Sequence, residues 1–192
     1  MGSKILVMYI TMTSVILSGI INMIFVKTPV YKKHNMPIDR GRNFLDGKRW
    51  LGDNKTYIGF LSMIIINGCV QVILGMIPSI EQWSEFYRNR VNTVGFNLFV
   101  GFILGFTYMI FELPNSFIKR RLDIIPGKTD KGIKGMIFFL VDQFDSILGV
   151  ILVLAIVSGI SFREYVEYVL LGGFTHVVIN LFLYILKIRK NL

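Results

Sequence analysis

A chain of 192 residues that is 53% hydrophobic and 17% charged, with mean hydropathy +0.59 and formal net charge +9, is too apolar for a soluble globular domain and fits one domain of ordinary size. Its single cysteine, Cys69, cannot form an intrachain disulfide, and the Cys/His spacings of zinc sites are absent. These bounds leave an integral membrane protein whose cations need a place.

The first apolar run, about 5–26, spans 22 residues. That exceeds the roughly 7–15 residues of a signal-peptide core, and no small-x-small cleavage site follows, so it is expected to stay as a membrane span. Met1-Gly2-Ser3 resembles a myristoylation start, but Leu6 stands where Ser or Thr is needed. The segment 27–56 is a basic, glycine-rich loop, "PIDRGRNFLDGKRWLGDNKTYIGF" at its centre, with Asp39, Asp46 and Asp53 interleaved with Arg40, Arg42, Lys48, Arg49 and Lys55. Glycines at this density turn the backbone tightly and expose N–H groups. Acids beside bases suit a metal-chelated polyphosphate better than a bare anion. A solvated, turn-rich linker is the plain alternative.

A second span is expected at about 57–80, with Cys69 as apolar filler, and a third at about 91–112, where Gly101 and Gly105 form a GxxxG. That motif favours close helix packing, within one chain or between two copies in a homodimer. The next loop, 113–134, opens with "FELPNSFIKRR". Pro114 is expected to stop the helix, with Asn115 or Ser116 capping a short new one. Ser116, Lys119 and Arg120, at i, i+3 and i+4, would then share one helical face. "PGKT" at Lys128 is no phosphate-binding P-loop, because Leu122 stands where that pattern needs glycine.

The fourth span, about 135–162, holds Asp142 and Asp145 at i and i+3 on one helical face. Each carboxylate costs roughly 2.5–3.5 kcal/mol near a helix centre, so a bound cation or basic partners must offset them. No other span carries Lys or Arg at comparable depth, which favours a cation site, and carboxylates with water and phosphate oxygens suit Mg²⁺. In the fifth span, about 166–187, His176 and Asn180 at i and i+4 are more simply interhelical hydrogen-bond formers than catalysts.

Seventeen of the 21 Lys/Arg fall in the two long loops or the C-terminal tail, against Lys4, Arg88, Arg90 and Arg163 on the other side. The positive-inside rule then puts the N-terminus outside and both basic loops and the C-terminus in the cytoplasm. The expected fold is a single all-α, five-span membrane domain.

Ser116-x-x-Lys119-Arg120 followed by Asp142-x-x-Asp145 resembles the signature of CDP-diacylglycerol synthases, S-x-x-K-R and then D-R-x-D. Gln143 stands where that family has arginine, and its His-Gly-Gly is missing. The loop "PIDRGRNFLDGKRWLGDNKTYIGF", "KRRLDIIPGK", "DQFD" and the terminal "THVVINLFLYILKIRK" are together similar to the CDP-archaeol synthase family, over nearly the whole chain. The resemblance implies a cytidylyltransferase of the cell membrane, with its active site on the cytoplasmic side. It would use CTP and Mg²⁺ to convert a lipid phosphate, digeranylgeranylglyceryl phosphate or phosphatidate, to a CDP-lipid with release of pyrophosphate. It also implies Asp142, Asp145 and Asp53 as metal ligands, with Lys55, Ser116, Lys119, Arg120 and Lys128 on the phosphates. Asp39, Asp46 and Arg49 would shape the loop or read cytosine and ribose. The partners implied are the bilayer and its lipid, not nucleic acid. An ion-coupled transporter using Asp142 and Asp145 is the rival reading, weakened by the lack of an inverted repeat. CDP-alcohol phosphotransferases are excluded, since "DQFDSILG" lacks their Ala-Arg.

Overall fold

The computed structural model describes residues 2–128, 130 and 132–187. Lys131 and the tail cations Arg189 and Lys190, counted above toward orientation, lie outside them. Five long helices form the body: α1 (Gly2–Phe25), α3 (Tyr57–Gly75), α5 (Val94–Arg121), α6 (Gly132–Ser158) and α7 (Phe162–Ile185). All five are long and apolar enough to cross a bilayer. Two short helices, α2 (Pro29–His34) and α4 (Pro78–Trp83), lie in the connections. Among the described residues there is no β-strand, only isolated bridges at Pro37–Thr56 and Asn43–Arg49. The chain is an all-α, multi-pass membrane protein.

Local chemistry sets the helix ends. Thr28, Thr56, Thr93 and Ser161 each accept a backbone N–H at the start of α2, α3, α5 and α7, and Ser161 with Glu164 makes a full capping box. The second span ends at Gly75, short of 80, because Pro78 opens α4 instead of continuing α3. The third span runs the other way. Pro114 does not stop it, and α5 continues as one helix to Arg121. Proline forfeits one main-chain bond there. In exchange, three cations (Lys119, Arg120 and Arg121) occupy the last turn, where they oppose the negative end of the helix dipole.

The α3–α5 pair is the tightest contact. A methyl on Gly101 would sit 2.7 Å from the Asn67 carbonyl oxygen, and one on Gly105 2.7 Å from the Ile64 Cα. The GxxxG face is therefore occupied inside the chain. α6 packs between α5 and α7, and α1 lies against α3. Met12, Met63, Val100, Leu104, Ile151 and Leu154 form the centre of the shared core.

Candidate active site

At the end of the bundle bearing the basic loops, α5 and α6 open around a polar cavity of about 630 Å³. That is within the usual range for small-molecule sites, about 300–1,000 Å³. Because α5 stays helical past Pro114, Glu112, Asn115, Ser116 and Lys119 fall at i, i+3, i+4 and i+7 and line one wall together with Arg120. Asp142 and Asp145 line the facing wall, on α6.

One amide joins the two walls. Asn115 Nδ2 donates to Asp142 Oδ1 at 2.6 Å and to Asp145 Oδ2 at 2.7 Å. Lys119 Nζ forms an ion pair with Asp142, and Asp145 Oδ1 also accepts the backbone N–H of Ser146 at 2.6 Å. The intramembrane carboxylates thus do have a basic partner. It comes from the last turn of α5, which was expected to belong to a separate helix. Lys55, from the loop before α3, pairs with Glu112. Burial works against its charge, but Glu112, with Asp145 and Asp142 beyond, holds the ammonium above its ordinary pKa. Glu112 and Asn115 are the residues sequence reading missed. The Glu112-x-x-Asn115-x-x-x-Lys119 spacing carried the signal, hidden by the assumption that the helix ended at Pro114.

Three polar atoms on residues lining this cavity have no partner among the described residues: Arg120 Nη1, Asn115 Oδ1 and Asn180 Oδ1, all buried. Arg120 Nε makes only a long contact, 3.5 Å, to the Ser116 carbonyl. Buried donors are nearly always satisfied, so an unsatisfied guanidinium nitrogen on a residue that lines a cavity favours an anion beside it. Lys128, at the rim, also lines this space, beside Pro126 and Gly127.

The remaining predicted residues build the loop above. Asp39 accepts both Arg49 Nε and Nη2 (3.1 and 2.7 Å) and the backbone N–H groups of Gly41, Leu51 and Gly52. Burial opposes the Asp39 charge, but the Arg49 guanidinium and these three N–H groups outweigh it and hold the carboxyl well below its usual range. So at positions 41 and 52 the loop glycines direct their N–H groups at Asp39. Asp46 pairs with Arg121, whose guanidinium also stacks on Phe117 at 3.6 Å. Its carboxyl is lowered by the Lys48 N–H and by Arg121. Asp53 pairs with Arg49, one helical turn away in spacing, and does not join Asp142 and Asp145; no cluster of three acids, histidines or cysteines able to hold a metal occurs among the described residues. The two loops lock together at Gly52, whose φ of +99° and 2.7 Å clearance from Pro126 to an added methyl leave room for glycine only.

Beside this cavity an apolar cleft runs between α1, α6 and α7, lined by Met12, Ile16, Ile20, Ile179 and Leu183. Gly19, Met23, Tyr108, His176 and Asn180 line both spaces, so polar site and apolar cleft adjoin.

Known proteins resemble this chain in sequence and in fold. A family model described as CarS-like CDP-archaeol synthase matches residues 20–191. The CDP-archaeol synthase of Sulfurisphaera tokodaii is 33% identical over 83% of both chains, and that of Methanocaldococcus jannaschii 32% identical over 80% of this chain and 81% of its own. The fold is also that of a solved intramembrane enzyme for archaeal membrane lipid biosynthesis, with TM-score 0.62 at 24% identity, covering 90% of this chain and 92% of the other. Five apolar helices, an acid pair facing a basic wall, and relatives matched along four-fifths of their length lead to one conclusion: this chain belongs to the CDP-archaeol synthase family.

Proposed function

We propose that the polar cavity is where this protein carries out the reaction of its family, transfer of the cytidylyl group of CTP to a membrane lipid phosphate with loss of pyrophosphate. The observation that carries the site assignment is the buried, unpartnered Nη1 of half-buried Arg120, on the wall of a cavity that Lys55, Lys119 and Lys128 also line. Five cations line this space, Lys27 among them, against the three acids Asp142, Asp145 and Glu112, and the excess suits a polyphosphate. The transporter reading finds no support in the relatives.

The acceptor phosphate is already an anion, so no strong general base is needed. What the protein must do is bring two polyanions together and stabilise the charge that develops on the leaving pyrophosphate. Arg120 and Lys128 are assigned to the triphosphate and Lys119 to the phosphate that attacks, with Ser116 as a hydroxyl donor beside them. Lys55, held charged by Glu112, adds fixed positive potential without having to be ordered on binding. Asn115 keeps the two aspartates together and at a set distance from this wall.

The donor set also fits a divalent ion. Mg²⁺ takes one or two carboxylates and completes its shell with water and phosphate oxygens. Asp142 and Asp145 would hold it, and it would neutralise charge on the triphosphate and leaving group. Asp53, committed to Arg49, is not assigned to it. The lipid's phosphate sits in the cavity and its chains in the apolar cleft. The names of the relatives favour isoprenoid ether chains, and the positive-inside bias favours a cytoplasmic mouth in the cell membrane.

The test is purified protein in nanodiscs with CTP and Mg²⁺, offered digeranylgeranylglyceryl phosphate or phosphatidate, with products read by mass spectrometry. CDP-lipid formed faster from the ether substrate supports the reading. No CDP-lipid from either rejects it.

A further inference from the structure

Between the two aspartates lies Gln143, which the mechanism does not use. At about 100° per residue its side chain points roughly 100° from Asp142 and 160° from Asp145, to the far side of α6. There it is 1% exposed and fully engaged: Nε2 donates to the Phe139 carbonyl at 2.9 Å and Oε1 accepts Asn180 Nδ2 at 2.7 Å. The first bond fixes which end of the Gln143 amide is oxygen, and so fixes the second. His176 Nδ1 lies 3.2 Å from the Gln143 main-chain carbonyl, and because a carbonyl only accepts, that nitrogen carries the proton. α7 thus grips one residue of α6 by side chain and by backbone. The two helices also pack tightly there. A methyl on Gly173 would meet the Phe144 ring at 2.2 Å, and one on Gly172 would meet Ile147 at 2.9 Å.

We infer that Gln143, His176 and Asn180 are positioning residues, a clamp from α7 that sets the rotation of α6 and so presents Asp142 and Asp145 together to Asn115 and to the cation they would hold. This rests on the site reading above. An ordinary interhelical hydrogen bond would have no reason to select the residue flanked by both carboxylates, nor to add a main-chain grip to a side-chain one. Asn115 can bridge the acids only while α6 keeps one rotation, and it is 7% exposed with no slack to follow them. Supporting partners of metal-binding groups typically alter metal affinity by 10–100-fold when removed.

The test uses full-length protein in zwitterionic nanodiscs, with Mn²⁺ alone as the probe, read by loss of the free-ion electron paramagnetic resonance signal. Asn180→Leu keeps the volume and loses the donor, and His176→Phe keeps the ring and loses the N–H. Asp145→Asn is the control for the site itself. The expected result is that Asp145→Asn loses Mn²⁺ binding, while each clamp variant weakens it at least about tenfold. Both clamp variants should also need more Mg²⁺ for half-maximal turnover, with a larger change in that requirement than in the KM for lipid phosphate. Wild-type Mn²⁺ affinity in both clamp variants, with binding lost in Asp145→Asn, overturns the clamp and leaves the site standing. Unchanged affinity with a raised lipid KM also overturns it, and makes His176 and Asn180 lipid contacts. Equal binding by wild type and Asp145→Asn defeats the site reading, and the clamp falls with it.

Discussion

The two ends of the bundle both bury polar side chains, and they do so differently. At the end away from the basic loops, Gln71 Nε2 donates to Tyr87 Oη, Tyr87 to Asn97 Oδ1, Asn97 Nδ2 to Asn92 Oδ1, and Asn92 Nδ2 to the Gly75 carbonyl. Every member is neutral, and each donor named has its acceptor. At the other end the groups are charged, cations outnumber anions, and Arg120 Nη1 and Asn115 Oδ1 are left over. A network that closes on itself joins helices, whereas one that stays electrostatically and sterically open awaits a ligand. The distinction lies in what is left over: hydroxyls, Ser158 Oγ and Tyr168 Oη, at the first end, and a guanidinium nitrogen with an amide oxygen at the site.

The sharpest way to break this contrast is at the acids. Asp145→Asn and Lys119→Ala should each lower CDP-lipid formation by at least about a hundredfold, the scale seen when one preorganised charge-stabilising group is removed. The protein should still insert and elute as a single species. Arg120→Met should weaken CTP binding by about 10–100-fold, corresponding to a charged hydrogen bond of about 1.5–3 kcal/mol. Its melting temperature without ligand should hold or rise, because the substitution removes a partly buried cation lacking a partner. A fall in both would make Arg120 a structural residue.

Asp39→Asn separates loop from site. The Asp39–Arg49 pair is bidentate and part-buried, so its loss should increase protease sensitivity of the 37–56 loop. The pH dependence has a definite sign. The folded carboxyl titrates below its unfolded value, near 3.9, so its stabilisation is complete above that value and is lost as pH falls through the depressed one. Loop cleavage by pepsin should therefore rise only at the acid extreme, with no step between pH 5 and 8 due to Asp39. The smallest effect belongs to the closed network: Asn97→Leu should cost about 0.6 kcal/mol, the average for interhelical hydrogen bonds in membranes, and leave kcat unchanged. A large loss of turnover there would erase the distinction between the two ends.

Much of this was legible in the chain. Apolar runs gave all five spans, since a bilayer imposes a length on them, and Asp142 and Asp145 drew attention because carboxylates inside a span require an explanation. Lys119 and Arg120 were legible from spacing. What was not legible followed from one proline. Taking Pro114 as a stop detached "NSFIKRR" from α5, which hid Glu112 and Asn115 and left the aspartates without a visible cation. Helix rules describe isolated chains in water, where a lost main-chain bond is costly; packing against α3 and α6 overrides that cost here. The loop acids misled for a different reason. Asp39, Asp46 and Asp53 have the composition of a metal loop, but the partner each takes depends on how the loop folds over α5, which composition does not encode. Gln143 registered only as a departure from a related signature, because the amide it meets on α7 lies 37 residues away.

The continuity of α5 has a consequence for the membrane itself. Its 28 helical residues extend about 42 Å, while a typical hydrocarbon core is about 30 Å thick. The excess projects the Asn115–Arg121 wall to a height fixed by the rod and not by a flexible hinge. The reacting phosphate of a lipid, however, rides at a height set by its own leaflet. With the lipid phosphate in the site proposed above, enzyme and substrate would be matched like a caliper to a sheet of given gauge. In bilayers thinner or thicker than the native one, substrate headgroups arrive above or below the cations, and turnover should peak at one thickness.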